Sequence, residues 1–293
     1  MNRILGYCLH LLVLPFIVSM PLDEASASIP QSQTIAARLA RSHGKNVYVI
    51  EQDVQFRTNA EPLVLRERWI IENGDRLRLT VTTPTSTDIK SADRASFEAL
   101  YRDNRRTYTE LNAGVKTSNV SQEFAEGFFH MRSGKSFLTA LIKARIVPGD
   151  FFREKSKPTK IEQVHHIPDP YVRLGRDNGV VTWIFGEPSP GEGKLSPQVW
   201  IEQDTFILKR LRFPSEAEIT ADRYISYANG LKFPRERTIN WNDNTVTIRI
   251  VSVRAMTSAQ AGRSFEVVPF TSGAKPARLP ELPQVREFYS RFR

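Results

Sequence analysis

The chain has 293 residues, with 41 Lys and Arg against 32 Asp and Glu, and a single cysteine, Cys8. That length supports one core of good size with appendages, and one cysteine excludes an internal disulfide. The net charge of +9 suits nucleic acid, an anionic membrane face or acidic partners by sign alone. The basic residues, however, are scattered along strand-like segments, as in Arg66, Arg68, Arg76 and Arg78, and form no block. A solvated strand face accounts for most of them. Contact with an anionic membrane surface is the functional alternative, and no nucleic-acid partner is expected.

Residues 1–27 have the layout of an export signal: Arg3, an apolar run from Ile4 to Met20, and the small-x-small site Ala25-Ser26-Ala27. Cleavage near Ala27 would remove Cys8 and leave no thiol chemistry. An exported chain without disulfides fits a bacterial periplasm, so the expected location is periplasmic.

After the signal, Ser32 or Thr34 opens a short helix with Ile35 and Leu39 on one face, and Gly44 stops it. Residues Val47 to Phe56 and Leu63 to Ile71 then alternate with opposite parity. A hairpin that sets Phe56 opposite Leu63 also sets Val54 by Leu65 and Ile50 by Trp69. It places the only polar interruptions of the apolar face, Gln52 and Glu67, directly opposite each other, and this register predicts a hydrogen bond between them. At Asn73-Gly74-Asp75 a three-residue loop keeps Ile71 against Leu77 and Trp69 against Leu79, whereas a two-residue loop would mix the faces. Phe97 to Tyr101 and Arg106 to Leu111 form the next hairpin, around Asp103-Asn104.

The stretch Ser121 to Val147 interrupts this strand pattern with two helices. The first carries Phe124, Phe128 and Met131. The second carries Phe137, Leu138, Leu141 and Ile142, is capped by Ser133 or Ser136 and is ended by Pro148-Gly149. Each such side chain stabilises by about 1.5–3 kcal/mol when buried, so the helices must lie on an apolar surface, and the sheet is the one available. Phe151 to Ile167 has no clear pattern. Strand alternation resumes at Tyr171 to Arg176 and Val180 to Glu187, where the turn Asn178-Gly179 pairs Leu174 with Trp183 and Val172 with Phe185. Val199 to Gln203, Phe206 to Phe213, Ile219 to Tyr227, Leu231 to Trp241 and Thr245 to Val253 follow. The tail from Thr271 is Pro-rich and mainly extended, with a short docked helix available at Val285 to Tyr289.

Short turns between antiparallel segments predict a mainly β (α+β) fold: an antiparallel incomplete β-barrel of about ten strands covered by short helices. The expected organisation is a signal peptide (1–27), one domain (28–270) and a Pro-rich tail (271–293). Catalytic signatures are lacking. No G-x-S-x-G, phosphate loop or dinucleotide fingerprint occurs, and Ser42-x-x-Lys45 has no companion motif. Adjacent His165-His166 would point to opposite faces of a strand. The chain is therefore expected to be non-enzymatic, with no metal and no cofactor.

The run Pro197-Gln198-Val199-Trp200-Ile201-Glu202-Gln203-Asp204-Thr205-Phe206 resembles the strand-turn-strand of periplasmic proteins similar to the lipoprotein carrier LolA. The following strands, Phe233-Pro234 and Phe265 to Pro269 fit the same pattern, and Phe137 to Ile142 stands where that family has its lid. The resemblance implies a half-barrel with helices over an apolar cavity that takes lipid acyl chains or lipoproteins in outer-membrane lipoprotein sorting. A periplasmic regulatory or protein-interaction module on the same fold is the alternative. The carriers' functional arginine has no clear counterpart here. Candidate cavity residues are Ile50, Phe56, Leu65, Trp69, Leu79, Phe137 and Leu141, with plain core packing as the alternative for each.

Overall fold

The structure, a computed structural model, describes residues 29–58, 61–84, 95–110, 114–151, 169–191, 193–266 and 278–293. The export signal, most of the Phe151 to Ile167 stretch with His165-His166, and the expected division at residue 270 lie outside these residues.

Helix α1 (Ser32–Arg41) leads into β1 (Val47–Phe56), β2 (Leu63–Asn73), β3 (Arg76–Thr82), β4 (Ser96–Arg102), β5 (Arg105–Glu110) and β6 (Gly114–Asn119). A 3₁₀ turn (Glu126–Phe129) and α2 (Gly134–Lys143) come next. The chain continues with β7 (Val172–Asp177), β8 (Val180–Phe185), β9 (Gln198–Glu202), β10 (Leu208–Arg212), β11 (Glu218–Ser226), β12 (Lys232–Trp241) and β13 (Asn244–Met256). Two helices end it, α3 (Ser258–Ala261) and α4 (Pro283–Arg291). All thirteen strands form one sheet in the order β6-β5-β4-β3-β2-β1-β13-β12-β11-β10-β9-β8-β7. It is two meanders joined along the β1–β13 seam, with β6 and β7 as free edges. A single apolar cluster gathers inward residues from both halves, from Tyr101 on β4 to Phe185 on β8. A sheet this wide can share one core only if it curls around it, which makes the fold an open half-barrel.

The predicted hairpin register is the observed one. Phe56 faces Leu63, Val54 faces Leu65, Gln52 faces Glu67 and Ile50 faces Trp69. Trp69↔Leu79 and Ile71↔Leu77 also pair as expected. The means differ from the three-residue loop: the register shifts between Ile71 and Asn73, and Asn73 then pairs with Arg76 across the Gly74-Asp75 turn. The bulge absorbs the odd residue and keeps the faces together. Leu174↔Trp183 and Val172↔Phe185 hold across Asn178-Gly179, both at positive φ.

Three expectations need correction. Thirteen strands form rather than about ten, and β6, with the polar sequence Gly-Val-Lys-Thr-Ser-Asn, has no alternation to reveal it. The first of the two expected helices is only the 3₁₀ turn Glu126–Phe129. There the chain runs hard against the β2–β3 turn, where a Cβ on Gly74 would come 2.9 Å from the Met131 side chain and 3.0 Å from the Gly127 carbonyl. Finally, α2 is capped as expected, with Ser133 Oγ accepting from the Ser136 amide at 3.0 Å, but it ends before Pro148. Arg145 turns left-handed (φ 55°), and the amides of Arg145 and Ile146 bond back to Ile142 and Leu141 at 2.9 Å each, closing the helix by a Schellman pattern without glycine.

The outer strand face is charge-paired over much of its area, and where Ala261 and Phe265 lie on it, Val47, Val49, Ile70 and Leu100 form a second, smaller buried cluster. Arg66 meets Asp53 at 2.5 Å, Arg76 meets Glu72 at 2.8 Å and Arg78 meets Glu98 at 2.8 Å. The four arginines noted in the sequence thus belong to cross-strand and local pairs, Arg68 reaching Glu51 at 3.7 Å.

Where α1 ends, buried His43 donates from Nδ1 to the Met131 carbonyl at 2.7 Å and fastens the segment before α2. Burial outweighs that bond and pushes the imidazole down from 6.5 to about 3. Between these two values the unfolded chain holds a proton that the folded chain refuses. Stability should therefore fall as pH drops through this window, by up to about 1.4 kcal/mol per pH unit from this one group. Urea unfolding at pH 7, 5.5 and 4 should show a shallower pH slope in His43→Gln than in the parent chain. Equal slopes would remove His43 as a cause.

Candidate functional site

All seven cavity candidates lie on the concave side. Ile50, Phe56, Leu65, Trp69 and Leu79 come from β1 to β3, and Phe137 and Leu141 from α2. Each is fully buried in the one core. The structure divides them between two covers. Over the β8–β10 half, Phe137 packs edge-on against Phe185 (6.0 Å) and Phe128 (6.3 Å), and Phe128 against Phe213 (6.2 Å). Helix α1 lies behind α2, so closely that a Cβ on Gly134 would meet the Ala37 amide nitrogen at 2.9 Å.

The other half is covered by the tail. Helix α4 turns Val285, Phe288, Tyr289 and Phe292 inward, all buried. Phe288 packs edge-on against Phe56 at 5.2 Å, Tyr289 sits 5.9 Å from Phe97, and Trp241 lies 5.2 Å from Phe292. The short docked helix that the sequence offered at Val285 to Tyr289 forms, spanning Pro283–Arg291, and its i, i+3, i+4, i+7 apolar spacing is satisfied against the concave face.

Under these covers lies a buried polar chain. Gln52 Nε2 donates to Glu67 at 2.6 Å, as the register required, and Gln52 Oε1 accepts from Arg237 of β12 at 2.5 Å. Arg237 also reaches Glu126 at 2.9 Å. Glu67 accepts from Trp69 Nε1 at 2.9 Å and from Arg293 Nε at 3.0 Å, and Arg293 stands 3.8 Å from Glu126. Two carboxylates and two guanidiniums thus balance in a space with almost no solvent. Burial alone would raise the pKa of Glu126, but Arg237, His130 and Arg293 together hold it well below the usual carboxylate range. His130, 3.1 Å from Glu126, is pushed down by burial despite that carboxylate, so its ring is neutral at pH 7. Arg237 lies against the rings of both Phe129 (5.0 Å) and Phe233 (4.9 Å).

An open groove of about 510 Å³ lies beside this interior, between α2 and the β4–β5 turn. Tyr101, Phe124, Phe128 and Met131 form its floor, and Lys135, Lys143 and Arg102 stand along its rim. None of the seven candidates lines it. The Tyr101 and Phe124 rings stack at 4.7 Å, and Trp69 lies behind them at 5.7 and 6.4 Å. One aromatic layer therefore separates the groove from the charged interior.

Sequence reasoning missed Arg237, Glu126, His130 and Arg293. A signal existed for Arg237, which shares parity with Ile239 and Trp241 and interrupts an apolar face as Gln52 does. The others lie outside regular strands and had none.

Removing one member of a buried ion pair typically costs about 3–5 kcal/mol, whereas exposed pairs contribute about 1 kcal/mol or less. Arg237→Met should lose stability on the larger scale in urea unfolding. Arg249→Met, which breaks an exposed pair with Glu236, should stay on the smaller one. Similar losses in both variants would show that the network contributes little.

No family model and no curated protein matches the chain. Solved structures are similar to it. A LolA superfamily protein from Nitrosomonas europaea superposes with a TM-score of 0.47 at 8% identity, covering 78% of this chain and 94% of that one. A DUF1329 family protein from Desulfovibrio piger gives 0.46 at 13% identity, covering 82% and 97%. A domain provisionally assigned to outer membrane lipoprotein sorting, from Vibrio parahaemolyticus, gives 0.44 at 12% identity, covering 77% and 92%.

Proposed function

We propose that the chain is an exported, non-enzymatic binding protein that works in the periplasm and takes lipid acyl chains or acylated lipoproteins. The observation that carries this reading is the construction of the interior. Among the described residues, the apolar concave face of an open sheet is covered by short, separately attached helices, and a groove with an aromatic floor opens beside them. An acyl chain moved from water onto such a surface gains about 0.8 kcal/mol per CH₂ and needs no fixed polar motif. The export signal read at residues 1–27 supports the compartment, and the sequence resemblance supports a part in lipoprotein sorting.

A second reading, a protein-interaction module on the same fold, is favoured by one observation: α4 already fills half of the concave face with its own aromatic side chains.

Protein purified from periplasm without detergent should yield acyl lipid on solvent extraction and mass spectrometry, in near-stoichiometric amount. Ala140→Trp places a large ring in the groove from the half-buried face of α2. It should lower the lipid content at least about fivefold, because filling the groove closes the apolar opening beside the covered concave face, while the unfolding midpoint stays close to the parent's. Lipid-free protein that also takes up no lipid from vesicles would overturn the acyl-chain reading and leave the interaction module.

A further inference from the structure

The half of the trough under α4 has a charge requirement. Among the described residues, Glu67 has one ion-pair partner, Arg293, at 3.0 Å, and both side chains are fully buried. Arg237 does not replace it, since its guanidinium is engaged by Glu126 and Gln52. The remaining donors to Glu67, Trp69 Nε1 and Gln52 Nε2, are neutral. Whatever takes the place of α4 must therefore bring a cation to Glu67, leave a buried carboxylate unpaired, or force it to take up a proton, and the first costs least near neutral pH.

Helix α4 is seated chiefly by side chains, namely the stripe Val285, Phe288, Tyr289 and Phe292, the Arg293 pair and the Arg291–Glu123 pair at its outer end, with one long backbone bond from the Ala125 amide to the Phe292 carbonyl (3.4 Å). The fit is incomplete. Arg293 Nη2 and the Tyr101 hydroxyl are buried without a hydrogen-bond partner among the described residues. The opening is near, because the stacked Tyr101–Phe124 pair that floors the groove touches Trp69, over whose ring Arg293 lies at 5.7 Å.

Building on the acyl-chain reading, we infer that α4 with Phe292 and Arg293 is a tethered stand-in for the ligand, and that the ligand replacing it is a single-chain amphiphile whose head carries a protonated amine. The chain occupies the Phe56–Phe97–Trp241 surface left by Phe288, Tyr289 and Phe292, and the amine takes the position of the Arg293 guanidinium at Glu67. A fatty acid would set its carboxylate against Glu67 and is excluded from this seat. The overall charge of +9 works the other way, since it attracts carboxylates and repels amines. A preference for the amine must therefore come from the buried site.

The test is chemical rescue in the full chain. Arg293→Gln removes the one cation that faces Glu67 among the described residues and keeps Glu67. Dodecylammonium, dodecanoate and lysophosphatidylethanolamine, all below micellar concentration, are titrated against it with the fluorescence of Trp69 and Trp241 as readout. Dodecylammonium should bind Arg293→Gln at least about tenfold more tightly than it binds the parent and should raise its melting temperature, since it supplies the missing partner of a buried carboxylate. Dodecanoate should do neither. The double variant Glu67→Gln, Arg293→Gln should lose the amine preference. Rescue by lysophosphatidylethanolamine as well would identify a lipid headgroup as the source of the amine, and its failure would identify a free amine.

If Arg293→Gln does not fold, the parent chain still decides: hydrogen exchange of the α4 amides should rise when dodecylammonium binds and stay unchanged with dodecanoate. Equal binding of amine and carboxylate, a preference that survives in the double variant, or ligand binding with α4 exchange unchanged would overturn the inference and leave the acyl-chain reading standing. Failure of every amphiphile to bind would overturn both.

Discussion

The buried charge at Glu67 is the constraint on which the rest of the interior depends. A carboxylate at the centre of an apolar face is costly unless it is paired and hydrogen-bonded. Here the satisfaction comes from three directions. Gln52 supplies a donor across the hairpin, Trp69 supplies one from the same strand, and Arg293 supplies the charge from the far end of the chain. Gln52 can hold its amide in that orientation because its oxygen is engaged by Arg237. Arg237 in turn is neutralised by Glu126, which fixes the 3₁₀ turn between the sheet and α2. One buried carboxylate thus couples β1, β2, β12, the turn and the C-terminal helix.

This coupling explains why the turn at Glu126–Phe129 departs from the helix that its apolar spacing suggests. Glu126 must reach inward to Arg237 and His130, while the backbone at Gly127 lies against the Gly74 turn. A longer regular helix would have to break one of these contacts. Where no charge is at stake, as in α2, the spacing of Phe137, Leu138 and Leu141 decides the structure, and the helix forms as the pattern demands.

Much of the sheet was legible because alternation and turn chemistry are local. The pairing of Gln52 with Glu67 followed from parity alone, and so did Leu174 with Trp183. The open architecture followed from the succession of short turns. What the sequence did not reveal lies in long-range closure. Gln52 and Arg237 are 185 residues apart, and Glu67 and Arg293 are 226 apart. No periodicity connects them. The helix at the end of the tail was legible from its apolar spacing but the surface it lands on was not, and polar β6 is held by pairing to β5 rather than by an apolar face. The seven apolar candidates could be placed on the inner face, but not divided between the two covers, because that division is set by where α2 and α4 land.

The two covers are not equivalent, and the difference is physical. The α2 side is held by apolar packing, by a close helix–helix approach at Gly134 and by hydrogen bonds at its start, from His43 to the Met131 carbonyl and from Arg132 to the Lys45 and Asn46 carbonyls, so anything that lifts it must replace contact area and these bonds but, among the described residues, no buried ion pair. The α4 side is held by area together with one net positive charge, and replacing it demands both. A neutral hydrocarbon can replace the contact area of α2 but not the charge of α4. If the molecule binds amphiphiles as proposed, one half would select by apolar contact and the other by charge, with the Tyr101–Phe124–Trp69 layer between the open groove and the charged half. A binding protein built only from apolar surface would discriminate weakly among amphiphiles of equal length. Placing a single unbalanced carboxylate behind that layer adds a preference for the head group, and the stability of the unliganded fold then requires that the chain carry its own cation to the same place.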